Sequence, residues 1–141
     1  RETGERFYVP YPEGSLFDFP GAVAEAASRA AHDTGARCIV AFTMTGFTAL
    51  LISKFKPDMP VVALSPDASV VRRMKLYRGV IPYQVRKLAS TDRMIGEVDR
   101  FMVEAGFAKE GDVIVLVAGH PIATKSRTNF IKLHRVGEKT V

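Results

Sequence analysis

The sequence predicts an α/β fold. It would be a three-layer sandwich in which a mainly parallel five-stranded sheet, with one antiparallel edge strand, carries helices on both faces. Three observations carry that reading. The runs Cys38–Phe42, Val61–Leu64 and Val113–Ala118 are short, apolar and rich in β-branched residues, as expected of strands covered on both sides. The stretches between them repeat apolar residues at helical spacing and are bounded by capping residues. The last strand follows its predecessor after a loop too short for a helical crossover, so those two strands should run antiparallel.

Whole-chain properties narrow the field. With 141 residues the chain suits one domain and can bury a sizeable core. Hydrophobic residues make up 47% and charged residues 25%, which is typical of a globular protein rather than a disordered one. No apolar run approaches the ~20 residues of a membrane span. The segment Arg1 to Arg6 has no apolar signal-peptide core, so a cytoplasmic location and no membrane partner are expected. Cys38 is the only cysteine; it opens an apolar strand and reads as a buried small side chain, with no internal disulfide available. His32, His120 and His134 are scattered without a second ligand at a metal-binding spacing, so no metal site is expected. Much of the net charge of +5 lies in Arg72, Arg73, Lys75, Arg78, Arg86 and Lys87, a solvated face or a surface for an anion or neighbouring domain. Nucleic-acid binding is not expected, because no recognised motif or aromatic stacking platform is present and Asp92, Glu97, Asp99 and Glu104 dilute the basic surface.

Taken in order, residues 1–18 form an extended arm with Pro10, Pro12, Gly4 and Gly14 among the aromatic residues Phe7, Tyr8, Tyr11 and Phe17, and residues 19–141 form the α/β domain. Asp18 can cap a first helix with Pro20 in its first turn. Val23, Ala26, Ala27, Ala30 and Ala31 would face the sheet, and Gly35 stops the helix. After the strand Cys38–Phe42, a short helix bearing Ala49, Leu50, Ile52, Ser53 and Phe55 ends at Lys56-Pro57. Val61–Leu64 is the second strand. Ser65-Pro66-Asp67 opens a helix with Val70, Val71, Met74 and Tyr77, closed by Gly79. Val80 to Val85 is a third strand that Pro82 assigns to an edge. Ser90 or Thr91 caps a helix in which Met94, Ile95, Val98, Phe101, Met102 and Ala105 recur at helical spacing as core. Val113–Ala118 is the strongest strand and should be central, and Asn129–Arg135 is the antiparallel one.

The chemistry concentrates in Thr43, Met44, Thr45, Gly46, Phe47 and Thr48, between the first strand and the helix after it. A strand that delivers a short loop to a helix N-terminus aims backbone N–H groups and the positive helix end at one spot, which suits a phosphate. Gly46 allows a tight turn, and the threonines add hydroxyls. Taken alone, the same pattern also describes a plain helix cap. A second loop, Thr124, Lys125, Ser126, Arg127 and Thr128, follows the fourth strand. Ligands in such sheets sit beyond the carboxyl ends of the strands, so both loops can flank one crevice, with Lys125 and Arg127 supplying positive charge.

Residues 18–138 resemble the C-terminal domain of pyruvate kinase. The resemblance runs in order through Ala22-Val23-Ala24-Glu25-Ala26-Ala27, Thr43-Met44-Thr45-Gly46-Phe47-Thr48-Ala49, Ser53-Lys54-Phe55-Lys56-Pro57 and Pro60-Val61-Val62-Ala63-Leu64-Ser65-Pro66. It continues through Arg73, Leu76-Tyr77-Arg78-Gly79-Val80-Ile81-Pro82, Lys109-Glu110-Gly111-Asp112-Val113, Ala118-Gly119-His120-Pro121 and Thr128-Asn129-Phe130-Ile131-Lys132. It implies a regulatory and assembly domain. The loop of residues 43–48 would grip an effector phosphate and that of residues 124–128 would be the mobile effector loop. The effector would be a sugar phosphate or nucleotide monophosphate, and the assembly a homo-oligomer, with a catalytic barrel domain as a further partner. Two departures stand out: Lys125-Ser126-Arg127 replaces a usually glycine-rich segment, and Met44 and Phe47 stand where relatives often carry polar residues. The resemblance places catalysis, with its Mg2+ and K+, in the barrel, of which the sequence has no Ala-Arg-Gly-Asp segment; no catalytic residue and no cofactor are expected here. The alternative is a free-standing phosphometabolite-binding protein or enzyme, for which His120 is the one candidate base.

Overall fold

The computed structural model describes residues 19–87, 90–119 and 128–138. The arm and Asp18 therefore lie outside the described residues. The elements in chain order are α1 (Phe19–Thr34), β1 (Cys38–Phe42), α2 (Phe47–Lys54), β2 (Val61–Ser65), α3 (Ala68–Met74), β3 (Val80–Gln84), α4 (Thr91–Glu104), β4 (Val113–Gly119) and β5 (Thr128–Arg135). They build one five-stranded sheet of order β3-β2-β1-β4-β5. Three neighbouring pairs are parallel, and β5 runs antiparallel to β4. The α/β layered architecture and the single antiparallel edge agree with the sequence expectation.

Two placements differ in detail. β4 is interior, but the middle position belongs to β1, because β5 folds back along the outer edge of β4. The buried stripe of α1 is Ala24, Ala27 and Ala31, whereas Ala26 is exposed. At about 100° per residue Ala26 lies far around the helix from Ala24, and spacings of three and four keep one face. Pro82 sits on β3, an edge strand, where the N–H it lacks costs least.

The two faces of the sheet are covered unequally. Ile39 and Ala41 of β1 join Ala63, Val115 and Val117 under α1, α2 and α3, which contribute Ala24, Ala27, Ala31, Ala49, Ile52, Val70 and Met74. The alternate residues Cys38, Val40 and Phe42 join Val62, Leu64, Ile114 and Leu116 under α4, through Met94, Ile95, Val98 and Met102. The winding explains the split. α2 and α3 carry the chain outward from β1 to β2 to β3. α4 then returns it past β1 to β4, so a connection of the same hand must cross the opposite face. Small residues on α1 allow close packing; the long methionines of α4 span a wider gap.

Capping matches the turns that the sequence marks. The Asp67 carboxylate accepts from the Ser69 N–H at 2.9 Å, and the Ser90 hydroxyl accepts from the Arg93 N–H at 3.2 Å. α3 ends at Met74, so Tyr77 lies in the turn that Gly79 closes rather than in the helix. His134 of β5 is fully buried, with Nε2 2.8 Å from Asp99 Oδ1 on α4; the other oxygen of Asp99 accepts the Gly137 N–H at 3.1 Å. His32 pairs with Asp58 at 2.9 Å on the surface.

Two predictions follow from this packing. Burial pushes the Cys38 thiol up from 9.0 to about 12. The associated stability is present below pH 9 and is lost as the pH rises toward 12. At pH 8 the folded chain should hold about a thousandfold less thiolate at this position than the unfolded one, so Ellman's reagent should label Cys38 only after denaturation. Replacing Asp99 with Ala strips His134 of its partner and should cost about 1–3 kcal/mol, read as a lower urea midpoint at unchanged slope.

Candidate functional site

The strand order reverses at β1. β2 and β3 lie to one side of it and β4 and β5 to the other, so the gap between the carboxyl ends of β1 and β4 is the switch point of the sheet. Phe42 stands opposite Ala118 in parallel register, which places the ends of the two strands side by side. The turn of residues 43–46 leaves β1 at this point and enters α2 directly. Sequence and topology thus converge on the same segment.

Within the turn, hydroxyl oxygens and backbone N–H groups satisfy one another. Thr43 continues the sheet by donating its N–H to the Leu64 carbonyl at 2.9 Å. Its Oγ1 then accepts the Gly46 N–H at 2.8 Å and, more weakly, the Thr45 N–H at 3.4 Å. Thr45 Oγ1 accepts the Phe47 N–H at 3.3 Å. A hydroxyl that accepts still has its own proton to donate, so the turn keeps O–H donors while its Thr45, Gly46 and Phe47 N–H groups are satisfied by the threonine oxygens. Gly46 is the N-cap of α2 with φ 87°, a left-handed conformation in which a side chain is strained, and as a glycine it brings no side chain of its own to cap the helix. The helix end therefore keeps its positive pole uncompensated by a carboxylate.

The six residues do not share one environment. Thr43 and Thr48 are buried, and Thr45 is the exposed threonine. The half-buried Met44 packs against the α4-side core, so what it contributes at the turn is backbone. Phe47 is 48% exposed and opens α2, where an apolar ring would flank any ligand. One contact is absent from any local sequence pattern: the Arg73 guanidinium of α3 donates to the Thr45 carbonyl. The two residues are 28 positions apart, and only the placement of α3 beside α2 in the layer brings them together.

Of the second loop, Thr124, Lys125, Ser126 and Arg127 lie outside the described residues, as does His120. Thr128 opens β5 opposite Gly119, the last residue of β4. Both ends of that loop are thereby anchored next to the switch point. Among the described residues no three His, Cys, Asp or Glu side chains are grouped to hold a metal ion.

Comparison with known proteins assigns the family. The sequence pattern of the pyruvate kinase alpha/beta domain matches residues 21–134. The pyruvate kinase of Lactobacillus delbrueckii subsp. bulgaricus is 37% identical over 118 residues, which is 84% of this chain and 20% of that enzyme. The pyruvate kinase of Mycobacterium tuberculosis is 36% identical over 118 residues, 81% of this chain and 25% of its own length. A crystal structure of a pyruvate kinase from Cryptosporidium parvum superposes with a TM-score of 0.78 at 30% identity, covering 86% of this chain and 23% of that one. The same organism's enzyme in complex with ADP gives 0.77, covering 91% and 25%. The chain spans about a fifth to a quarter of the length of these relatives. With its sheet order, its threonine turn and these matches in agreement, the chain belongs to the pyruvate kinase family as its C-terminal α/β domain.

Proposed function

We propose that this domain regulates and helps assemble a pyruvate kinase, and that it does so by binding a phosphorylated metabolite at the turn of residues 43–48. The observation that carries the reading is the left-handed Gly46 turn at the switch point of the sheet, where α2 opens from a glycine N-cap with no acidic residue in its first turn. A phosphate seated there meets the positive helix end, the exposed Thr45 hydroxyl, and N–H groups that Thr43 and Thr45 oxygens otherwise accept. The effector is a sugar phosphate or a nucleoside monophosphate, and the positive charge of Lys125 and Arg127 in the second loop complements the rest of its charge. Self-association into a homo-oligomer and partnership with a catalytic barrel complete the proposal, with the cytoplasm as its setting. No described helix is long and apolar enough to cross a membrane.

Calorimetric titration with fructose bisphosphate, glucose 6-phosphate, ribose 5-phosphate and AMP tests the ligand. At least one should release heat with a stoichiometry near one per chain, and Thr45→Ala should weaken it about tenfold or more through loss of a charge-assisted bond. Silence from all of them would sink the proposal. Gly46→Ala should both abolish the response and lower stability by about 1–2 kcal/mol, since the added Cβ takes a left-handed conformation and meets Val70 Cγ1 at 3.3 Å.

A further inference from the structure

The contact between Arg73 and Thr45 does more than tie two surface elements together. A trans peptide is planar, with its C=O and N–H pointing in opposite directions, and the Thr45 carbonyl and the Gly46 N–H belong to the same peptide unit. Arg73 holds the oxygen of that unit from the α3 side. Its nitrogen donates at 2.8 Å to Thr43 Oγ1, on the opposite side, inside the turn. The plane is thus gripped at both ends. Gly46 is also seated directly on α3: a Cβ there would lie 3.3 Å from Val70 Cγ1, 3.4 Å from Met74 Cγ and 3.5 Å from Arg73 Nη2. Without the guanidinium, the carbonyl would turn to water and only the Thr43 hydroxyl would hold the peptide, next to Gly46, the residue whose backbone resists rotation least.

We propose that Arg73 is a positioning residue for the turn. By fixing the Thr45–Gly46 peptide plane it keeps the Gly46 N–H directed into the loop, and so sets the affinity of the loop for a phosphate-bearing ligand. The ligand half of this inference rests on the function proposed above; the peptide-plane half does not. A guanidinium suits the task better than an ammonium, because its planar fork carries several donors in fixed directions and stays charged. Arg73 is exposed, so removing it leaves the core intact and separates positioning from folding.

The test compares Arg73→Met, Arg73→Lys and Arg72→Met with the parent chain by amide hydrogen exchange at Gly46, and by titration with fructose bisphosphate and AMP. Methionine keeps the helix-forming stem and removes the donor, and Arg72→Met controls for the lost charge. Exchange at Gly46 should be about tenfold faster in Arg73→Met, unchanged in Arg72→Met and intermediate in Arg73→Lys. Binding of whichever probe the parent takes up should weaken about tenfold in Arg73→Met, with an unchanged urea midpoint. Gly46 exchange in Arg73→Met equal to that of the parent would overturn the proposal. So would faster exchange with undiminished binding. If the parent binds neither probe, the proposed function fails for those ligands, and the Gly46 exchange rates alone decide whether Arg73 orients the peptide.

Discussion

Burying β1 from four sides is the constraint on which the rest of this structure depends. Its five residues are all buried; β2 and β4 pair with its two edges, and α4 and the α1–α3 layer cover its two faces. At about 1.5–3 kcal/mol for each large side chain taken from water, a strand placed this way is stabilised as strongly as a strand can be. It also has no surface left to offer. Chemistry can occur only where the chain leaves it, and the switch in strand order puts the carboxyl-end exit beside the exit of β4.

The turn at that exit is held first by its own hydroxyl oxygens. Helices usually begin with a side chain that caps their first N–H groups. Here the N-cap is a glycine, and the oxygens that satisfy the entering backbone come from Thr43 and Thr45, upstream of it. The hydroxyls thereby occupy places that an anion's oxygens would take, and the backbone is already arranged before any ligand arrives. Preorganisation of this kind lowers the ordering cost of binding. α3 completes the arrangement from outside through Val70, Met74 and Arg73.

How much of this was legible in the sequence depended on how local the cause was. Continuous apolar runs announced β1, β2 and β4, because burial on both faces demands them. Pro82 marked β3 as an edge, and Asp67 and Ser90 announced helix starts through bonds spanning two or three residues. The stripe of α1 was blurred because Ala22, Ala24, Ala26, Ala27, Ala30 and Ala31 look equally suitable, and only contact with the sheet selects among them. The turn of residues 43–48 was visible as a motif, but the inward packing of Met44 and the burial of Thr43 and Thr48 follow from the layers on either side. Arg73 was legible as a basic residue and as one position of the family resemblance, but not as a partner of the Thr45 carbonyl. Its role arises from two crossovers that lie in the same layer, which no short pattern encodes.

Gly46 carries a consequence for how such domains diverge. A residue held in a left-handed conformation and pressed against Val70 and Met74 leaves almost no substitution open to drift. Substitution is least constrained instead at a neighbour whose side chain does not hold the pivot, the exposed Phe47. The turn therefore behaves as a fixed hinge pin, whose backbone shape is set by the glycine and by the side chains that clasp it.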